Sequence, residues 1–408
     1  MRRVAITGLG AVSALGVGVP AFWDGLVSAR SGVRRITLFD PSAYQIQVAA
    51  EVPAFDPAAH FDESQIDMFD RFTQLALVAA EEACRQAGLE LADAEHDRAG
   101  VALGSGMGGA ATQDDRYRRL YGEGITRAHP FSIPRIMNNA ATSHVSMRFG
   151  LRGPALAFAT ACAAAAHAIG EAAEIIRSGR ADVMLAGGAE APIAPGVMRC
   201  WEAMRVLAPA AAEPSQTCRP FSRDRRGMVL GEGAGVVVLE AWERAAARGA
   251  TILAELAGYG ATADAGHLTQ PGVDAPVRAI AAALAQAGVA ASEVGYINAH
   301  GTGTRLNDTT ETTIIKRAFG PAATRVAISS TKSMHGHAMG ASAALELIAA
   351  VLAIRHGIVP PTVNYTEPDP ECDLDYVPNQ PREQHVDVAV SNSFAFGGLN
   401  AALLVRRA

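Results

Sequence analysis

The chain has 408 residues, more than one hydrophobic core normally serves, so two core units are expected. Hydrophobic residues make up 49% and charged residues 19%, the balance of a packed globular protein rather than a disordered one. A net charge of −6 without any run of basic residues argues against a nucleic-acid partner. Five scattered cysteines, odd in number and without metal-ligand spacing, point to reduced thiols in the cytoplasm.

Residues 4–7 read as a short buried strand running into a glycine turn at Gly8, too short and too broken for a signal peptide. No stretch approaches ~18 uninterrupted apolar residues, so no membrane span is expected. Residues 67–88 have helical apolar spacing (Phe69, Phe72, Leu75, Ala76, Ala79) closed by Gly88. A buried strand over 99–103 runs into Gly104-Ser105-Gly106-Met107-Gly108-Gly109, which fits G-x-G-x-x-G. A dinucleotide site also needs an acidic residue about 20 positions on, and position 129 is His. The glycines are therefore expected to line a pocket.

Next comes an apolar run over 154–161 that ends at Cys162, followed at once by a small-residue helix to Arg177 and a stop at Gly179. A thiol at a helix mouth sits beside unpaired N–H groups and the positive dipole end, which favours thiolate. The Cys162 N–H is placed to stabilise an oxyanion. His167, inside that helix, reads as a core residue. Strands over 181–187 and 228–239 and a surface helix over 241–248 closed by Gly249 complete a first half, 1–249.

The second half, 250–408, repeats the rhythm. Strands are expected over 252–258, 294–298, 326–329, 386–391 and 401–406, with helices over 275–287, 309–319 and 338–356. The proline-rich 359–381 reads as extended loop. Strands alternating with helices mean α/β layering with the sheets buried on both faces. The two halves share a rhythm, not letters.

Three later stretches bear on Cys162. His300 ends a buried strand and opens His300-Gly301-Thr302-Gly303-Thr304, where small residues admit a substrate and the hydroxyls can hold an amide-rich arm. His337 lies at the mouth of the long helix over 338–356, a position that pushes imidazole toward its neutral, donating form. Ser391 to Asn400 ends a strand in the aromatic–glycine turn Phe396-Gly397-Gly398. His335-x-His337 has no evident third ligand, so no metal is expected. Lys332 alone would read as a surface lysine. Cys, two His and Lys together at strand ends with glycine-rich flanks are not explained by packing.

These motifs, with residues 4–10, Arg219-Pro220-Phe221, Gly231-Glu232-Gly233-Ala234-Gly235 and Ser330-Thr331-Lys332-Ser333-Met334-His335-Gly336-His337, resemble the β-ketoacyl-acyl carrier protein synthases of the type II elongating class nearly end to end. That family belongs to the thiolase superfamily and includes type II polyketide ketosynthases. The resemblance implies an αβαβα layered sandwich of two similar halves, the first carrying the nucleophilic Cys and the second the two His and a gating Phe. It also implies an acyl carrier protein as partner, and a homodimer or a heterodimer with a chain-length-factor-like homologue. No cofactor is implied, since substrates arrive on the carrier's phosphopantetheine arm.

Carried over by position, Cys162 takes the acyl chain, and His300 and His337 bind the malonyl thioester carbonyl and stabilise the enolate. The N–H groups of Cys162 and Phe396 resemble the oxyanion hole. Lys332, paired with Glu311, would hold the histidines, and Glu311 is also expected among the substrate-binding residues. Thr302 and Thr304 match the positions that hold the pantetheine arm, and Phe396, with Gly397 beside it, matches the gate. Trp201 aligns with an aromatic at the pocket floor, with a dimer-interface anchor as the equal alternative, Met107 with a tunnel-side apolar residue, and Arg205 with a carrier-docking arginine; Arg116, Arg118 and Arg119 are weaker docking candidates. Met228, Leu399 and His335 depart from the common pattern. Two rivals are a chain-length-factor-like partner subunit, which usually lacks the cysteine, and a thiolase, which uses a second cysteine near the final glycine turn.

Overall fold

The computed structural model describes residues 2–408. Ten principal strands form one continuous sheet. They are β1 (Val4–Ser13), β2 (Ala99–Gly104), β3 (Ala155–Phe158), β4 (Val183–Glu190), β5 (Gly233–Ala241), β6 (Ala254–Ala263), β7 (Tyr296–Asn298), β8 (Ala327–Ser329), β9 (Val388–Ala395) and β10 (Leu399–Arg406). Their spatial order is β8-β7-β9-β10-β6-β1-β5-β4-β2-β3. The order is the same pattern read outward twice from the middle. In each half the first strand pairs antiparallel with the last (β1 with β5, β6 with β10), which pairs antiparallel with β4 or β9. Two parallel strands then finish the half, β2 and β3 or β7 and β8. The halves meet where Ala5 and Ile6 of β1 pair with Glu255 and Ala254 of β6.

The principal helices are α1 (Arg71–Ala87), α2 (Ala140–Phe149), α3 (Ala164–Arg177), α4 (Pro195–Met204), α5 (Asp274–Ala287), α6 (Arg305–Phe319) and α7 (Ser342–His356), all but α4 building the layers. α1 and α2 cover the first half's outer face, and α5, with α6 against it, covers the second's. α3 and α7 lie between, touching strands of both halves and each other. This is the αβαβα sandwich. The window Met339–His356 is apolar enough to cross a membrane, with a mean hydropathy of 1.4, but 89% of it is buried because α7 is the central layer.

The likeness of the halves extends to letters, contrary to the expectation from rhythm alone. A Cβ on Gly8 or Gly10 of β1 would stand 2.1 or 1.8 Å from the carbonyl oxygen of Ala83 or Ala79 on α1. A Cβ on Gly258 or Gly260 of β6 would stand 2.1 or 2.0 Å from that of Ala283 or Ala279 on α5. Gln86 Oε1 accepts from the Leu9 N–H at 2.6 Å, and Gln286 Oε1 accepts from the Tyr259 N–H at 2.7 Å. G-x-G beneath A-x-x-x-A-x-x-Q-A-G therefore occurs twice, because helix backbone can approach strand backbone this closely only where side chains are missing.

Local boundaries also moved. The helix expected over 67–88 divides, because Asp70 caps α1 by accepting from the Phe72 N–H at 3.0 Å. The run over 154–161 is strand only for Ala155–Phe158, and the helix expected from 338 begins at Ser342 after a tight turn, Met339–Ala341.

Candidate active site

Cys162 lies in the turn Ala161–Ala163 that joins β3 to α3. Ala161 has φ +48°, a left-handed conformation that costs an alanine roughly 1–2 kcal/mol. Local strain of this kind marks a residue held by its surroundings. The backbone N–H groups of Cys162 and Phe396 both face the sulfur, the two donors expected of an oxyanion site. The residue is 6% exposed. Burial pushes the thiol up to about 12, opposed by the nearby Lys332 charge and those two N–H groups. The expectation of a resting thiolate is thereby corrected: loss of hydration outweighs the helix mouth.

His337 Nε2 lies 3.2 Å from Cys162 Sγ. On the other side of the ring, Nδ1 accepts from the Met339 N–H at 3.2 Å and contacts Ser342 Oγ at 2.9 Å. A backbone N–H can only donate, so Nδ1 is the acceptor and the proton sits on Nε2, aimed at the sulfur. His300 reaches the same tautomer by another route. Its Nδ1 faces the Lys332 ammonium at 3.4 Å, again a group that only donates. Burial and the Lys332 charge hold both imidazoles well below their ordinary range, so both are neutral at pH 7. The sulfur and the two imidazoles place one ligand atom each within 4.8 Å of one another. With both Nε2 atoms protonated, that cluster presents hydrogen-bond donors where a metal would need lone pairs.

The ion-pair partner of Lys332 is Glu346 of α7, not Glu311. Glu311 instead accepts from the backbone N–H groups of His300 at 2.8 Å and Gly301 at 2.7 Å. Fully buried on α6, it stands behind the turn and offers no surface to a substrate, so its expected binding role is corrected as well. Desolvation raises its carboxyl to about 7. Gly301 allows the turn: at φ +35°, a Cβ there would meet Ser330 Cβ at 2.5 Å.

The cavity over Cys162 is lined by His300, His337, Thr302, Thr304, Met228 and Phe396, with a wall from the loop after β6 that includes Asp264 and Leu268. Thr302 and Thr304 share a hydroxyl hydrogen bond of 2.9 Å. Met107 and Trp201 do not line it. Trp201 lies buried, stacked on Phe396 with ring centroids 6.4 Å apart. The Met107 N–H donates to Glu190 at 3.0 Å. Gly397 has φ +83° and donates its N–H to the Leu268 carbonyl at 2.7 Å, tying the Phe396 turn to the surface loop. Arg205, exposed at the C-terminal end of α4, has no ion-pair partner among the described residues, whereas Arg118 is held by Asp115 and Glu123.

Four contributors escaped the sequence reading: Glu346, Glu190, Ser342 and Asp264. Glu190, wholly buried, accepts from Ser105 Oγ and from the N–H groups of Gly106, Met107 and Gly340, fastening the G-x-G-x-x-G loop to the turn after His337. A lone carboxylate in an otherwise apolar run, as at Glu346, was the available signal, since a buried charge requires a partner.

Two family models match the chain, the N-terminal domain of beta-ketoacyl synthases over residues 1–245 and the C-terminal domain over residues 253–366. The chain is 50% identical over 406 residues to "Nodulation protein E" of Rhizobium sp. (strain N33), covering 100% of this chain and 99% of that one. It is 45% identical over 408 residues to "3-oxoacyl-[acyl-carrier-protein] synthase 2" of Coxiella burnetii (strain RSA 493 / Nine Mile phase I), with 100% and 99% covered. Among solved structures, it superposes with a TM-score of 0.92 on a chain of a type II PKS acyl-carrier protein in complex with its ketosynthase bound to a hexaketide. The identity there is 36%, with 100% and 99% covered.

Proposed function

This chain belongs to the beta-ketoacyl synthase family, and on that premise we propose how its residues carry out a decarboxylative condensation. It is a condensing enzyme of the 3-oxoacyl-[acyl-carrier-protein] synthase type. One observation carries the reading: a sulfur and two imidazoles converge within 4.8 Å on one cavity. That convergence separates the chain from a non-catalytic chain-length-factor-like subunit.

In the first half-reaction the Cys162 sulfur attacks the carbonyl carbon of an acyl thioester on the carrier's phosphopantetheine. The oxyanion is received by the N–H groups of Cys162 and Phe396, and the thiol proton leaves with the carrier's thiol. In the second, the carbonyl oxygen of malonyl-carrier protein accepts from Nε2–H of His300 and of His337. Carbon dioxide departs and its bonding electrons form the enolate, which two neutral donors in a dry cavity stabilise. The enolate carbon then attacks the Cys162 thioester carbonyl, the carbon–sulfur bond to Cys162 breaks to release the 3-oxoacyl-carrier product, and the freed thiolate takes up a proton from solvent. Lys332 keeps His300 oriented and neutral. Thr302 and Thr304 hold the pantetheine amides, and Phe396 with Gly397 controls access between the half-reactions.

Residues 1–249 and 250–408 are taken as the two halves, a division supported by the repeated strand order. The exposed edge strand Ala155–Phe158 supports pairing with a second chain, a copy of this one or a close relative, because an open edge leaves backbone groups unpaired. The unpaired Arg205 supports docking of an acidic carrier. The free cysteines support a reducing compartment, the cytoplasm. The product enters chain elongation of the fatty-acid or type II polyketide kind.

The test is mass spectrometry of Cys162 after incubation with a panel of acyl-carrier thioesters, followed by malonyl-carrier protein. Acylation of Cys162 and then release of a 3-oxoacyl-carrier are expected. Folded protein that never acquires the acyl mass would overturn the reading.

A further inference from the structure

Ser342 opens α7 with its hydroxyl turned back toward the active site. It is 1% exposed, and its Oγ lies 2.9 Å from His337 Nδ1, the hydroxyl's only hydrogen-bond partner among the described residues. We propose that Ser342 is a positioning residue for the condensation, holding His337 as its Nε2–H tautomer and strengthening that N–H as a donor to the enolate oxygen. The inference rests on the reading of His337 given above.

A neutral imidazole has one proton to place, and the partners of Nδ1 decide where it goes. The Met339 N–H contacts Nδ1 at 3.2 Å, the long end of the hydrogen-bond range, and belongs to a residue with φ +44°. That amide makes Nδ1 an acceptor but holds it loosely. With Nδ1 unprotonated, the Ser342 hydroxyl must donate to it, and does so over the shorter distance. A donor on one ring nitrogen draws electron density through the ring and sharpens the N–H opposite.

The same task is done for His300 by the Lys332 ammonium at 3.4 Å. A second cation beside His337 would favour its Nε2–H form equally, but would add another charge to a buried site. A hydroxyl gives the same direction without net charge. The enolate therefore meets two donors, one backed by a cation and one by a neutral hydroxyl at the head of a helix.

The test compares wild type with Ser342→Ala, a change that favours the helix and removes only the donor. Nitrogen-15 spectra of histidine-labelled protein read the ring directly. In the variant the His337 Nδ1 resonance should move toward that of an unbonded imidazole nitrogen, while that of His300 stays. The kcat for decarboxylation of malonyl-carrier protein should fall about 2- to 10-fold, the net worth of one hydrogen bond, with KM and the rate of Cys162 acylation within twofold of wild type. An unmoved Nδ1 resonance, unchanged decarboxylation, or acylation falling in step with decarboxylation each overturns the proposal. Wild-type protein that neither acylates nor decarboxylates would overturn the functional reading instead, and the Nδ1 resonance would still decide whether Ser342 holds the ring.

Discussion

Lys332 stands between two buried groups, its ammonium 3.4 Å from Nδ1 of His300 and paired on its other side with Glu346 of α7. The lysine thus carries two duties, neutralising a carboxylate that burial would otherwise protonate and fixing a histidine that must stay neutral. These duties can be separated.

Replacing Lys332 by Met leaves Glu346 buried without its cation. Breaking such a pair costs about 3–5 kcal/mol, so the denaturant midpoint of Lys332→Met should drop accordingly. Adding Glu346→Gln should restore most of that stability and none of the malonyl decarboxylation. A double variant that regains decarboxylation would show that Lys332 serves the fold alone.

With its thiol pushed up to about 12, Cys162 is almost entirely protonated at neutral pH. Raising the pH makes thiolate, so alkylation by iodoacetamide should accelerate about tenfold for each pH unit between 7 and 9, with no plateau. A plateau near pH 7 would mean that the helix mouth prevails over burial after all. Cys162→Ala should keep the fold and show no acyl loading.

Both active-site imidazoles are held well below 6.5, so the decarboxylation rate should show no acidic limb near that value. A half-loss of kcat at pH 6.5, under conditions where the protein is still folded, would contradict neutral donors.

His335 extends the pH argument to stability. Buried and bonded at Nε2 to Thr331 Oγ1 at 3.0 Å, its pKa is pushed down to about 3 by desolvation. Below pH 6.5 the unfolded chain takes up a proton there that the folded chain refuses, so stability falls as pH falls through that window. Relative to wild type, His335→Gln should therefore gain about 1.4 kcal/mol per pH unit between 6.5 and 3. Chemical denaturation of both proteins at several pH values checks it, and a constant difference would refute it.

Asp264 ties the surface loop to the Phe396 turn. Its carboxylate accepts from Asn400 Nδ2 and from the Gly272 N–H, both at 2.8 Å, and its own N–H donates to Gly398 O at 2.9 Å. Asp264→Ala should loosen residues 264–272 and the Phe396 turn together, by about 1–3 kcal/mol of local stability. Hydrogen exchange should rise in both segments. If only the loop exchanges faster, the two are not coupled.

Much of the site was legible before any coordinates. Cys162, His300, Lys332, His337 and Phe396 each sit in a strand–turn–helix or strand–turn–strand transition written in neighbouring residues, and the structure brings four of them to one cavity with Lys332 behind His300. Strand and helix periodicity likewise marked the alternating layers. Boundaries shifted where capping decided them, as at Asp70, and the repeated G-x-G lattice went unseen because its meaning lies in which helix covers which strand.

What the sequence determined alone is therefore the chemistry available: a nucleophile, two imidazoles, a lysine and glycine-rich approaches to them. Only the tertiary structure decided which carboxylate answers Lys332, since Glu311 and Glu346 are both wholly buried and differ in where α6 and α7 place them. It likewise decided that the sulfur rests protonated and that Ser342 reaches His337. Short-range pattern sets local backbone, whereas hydration and partner choice depend on every element packed around a group.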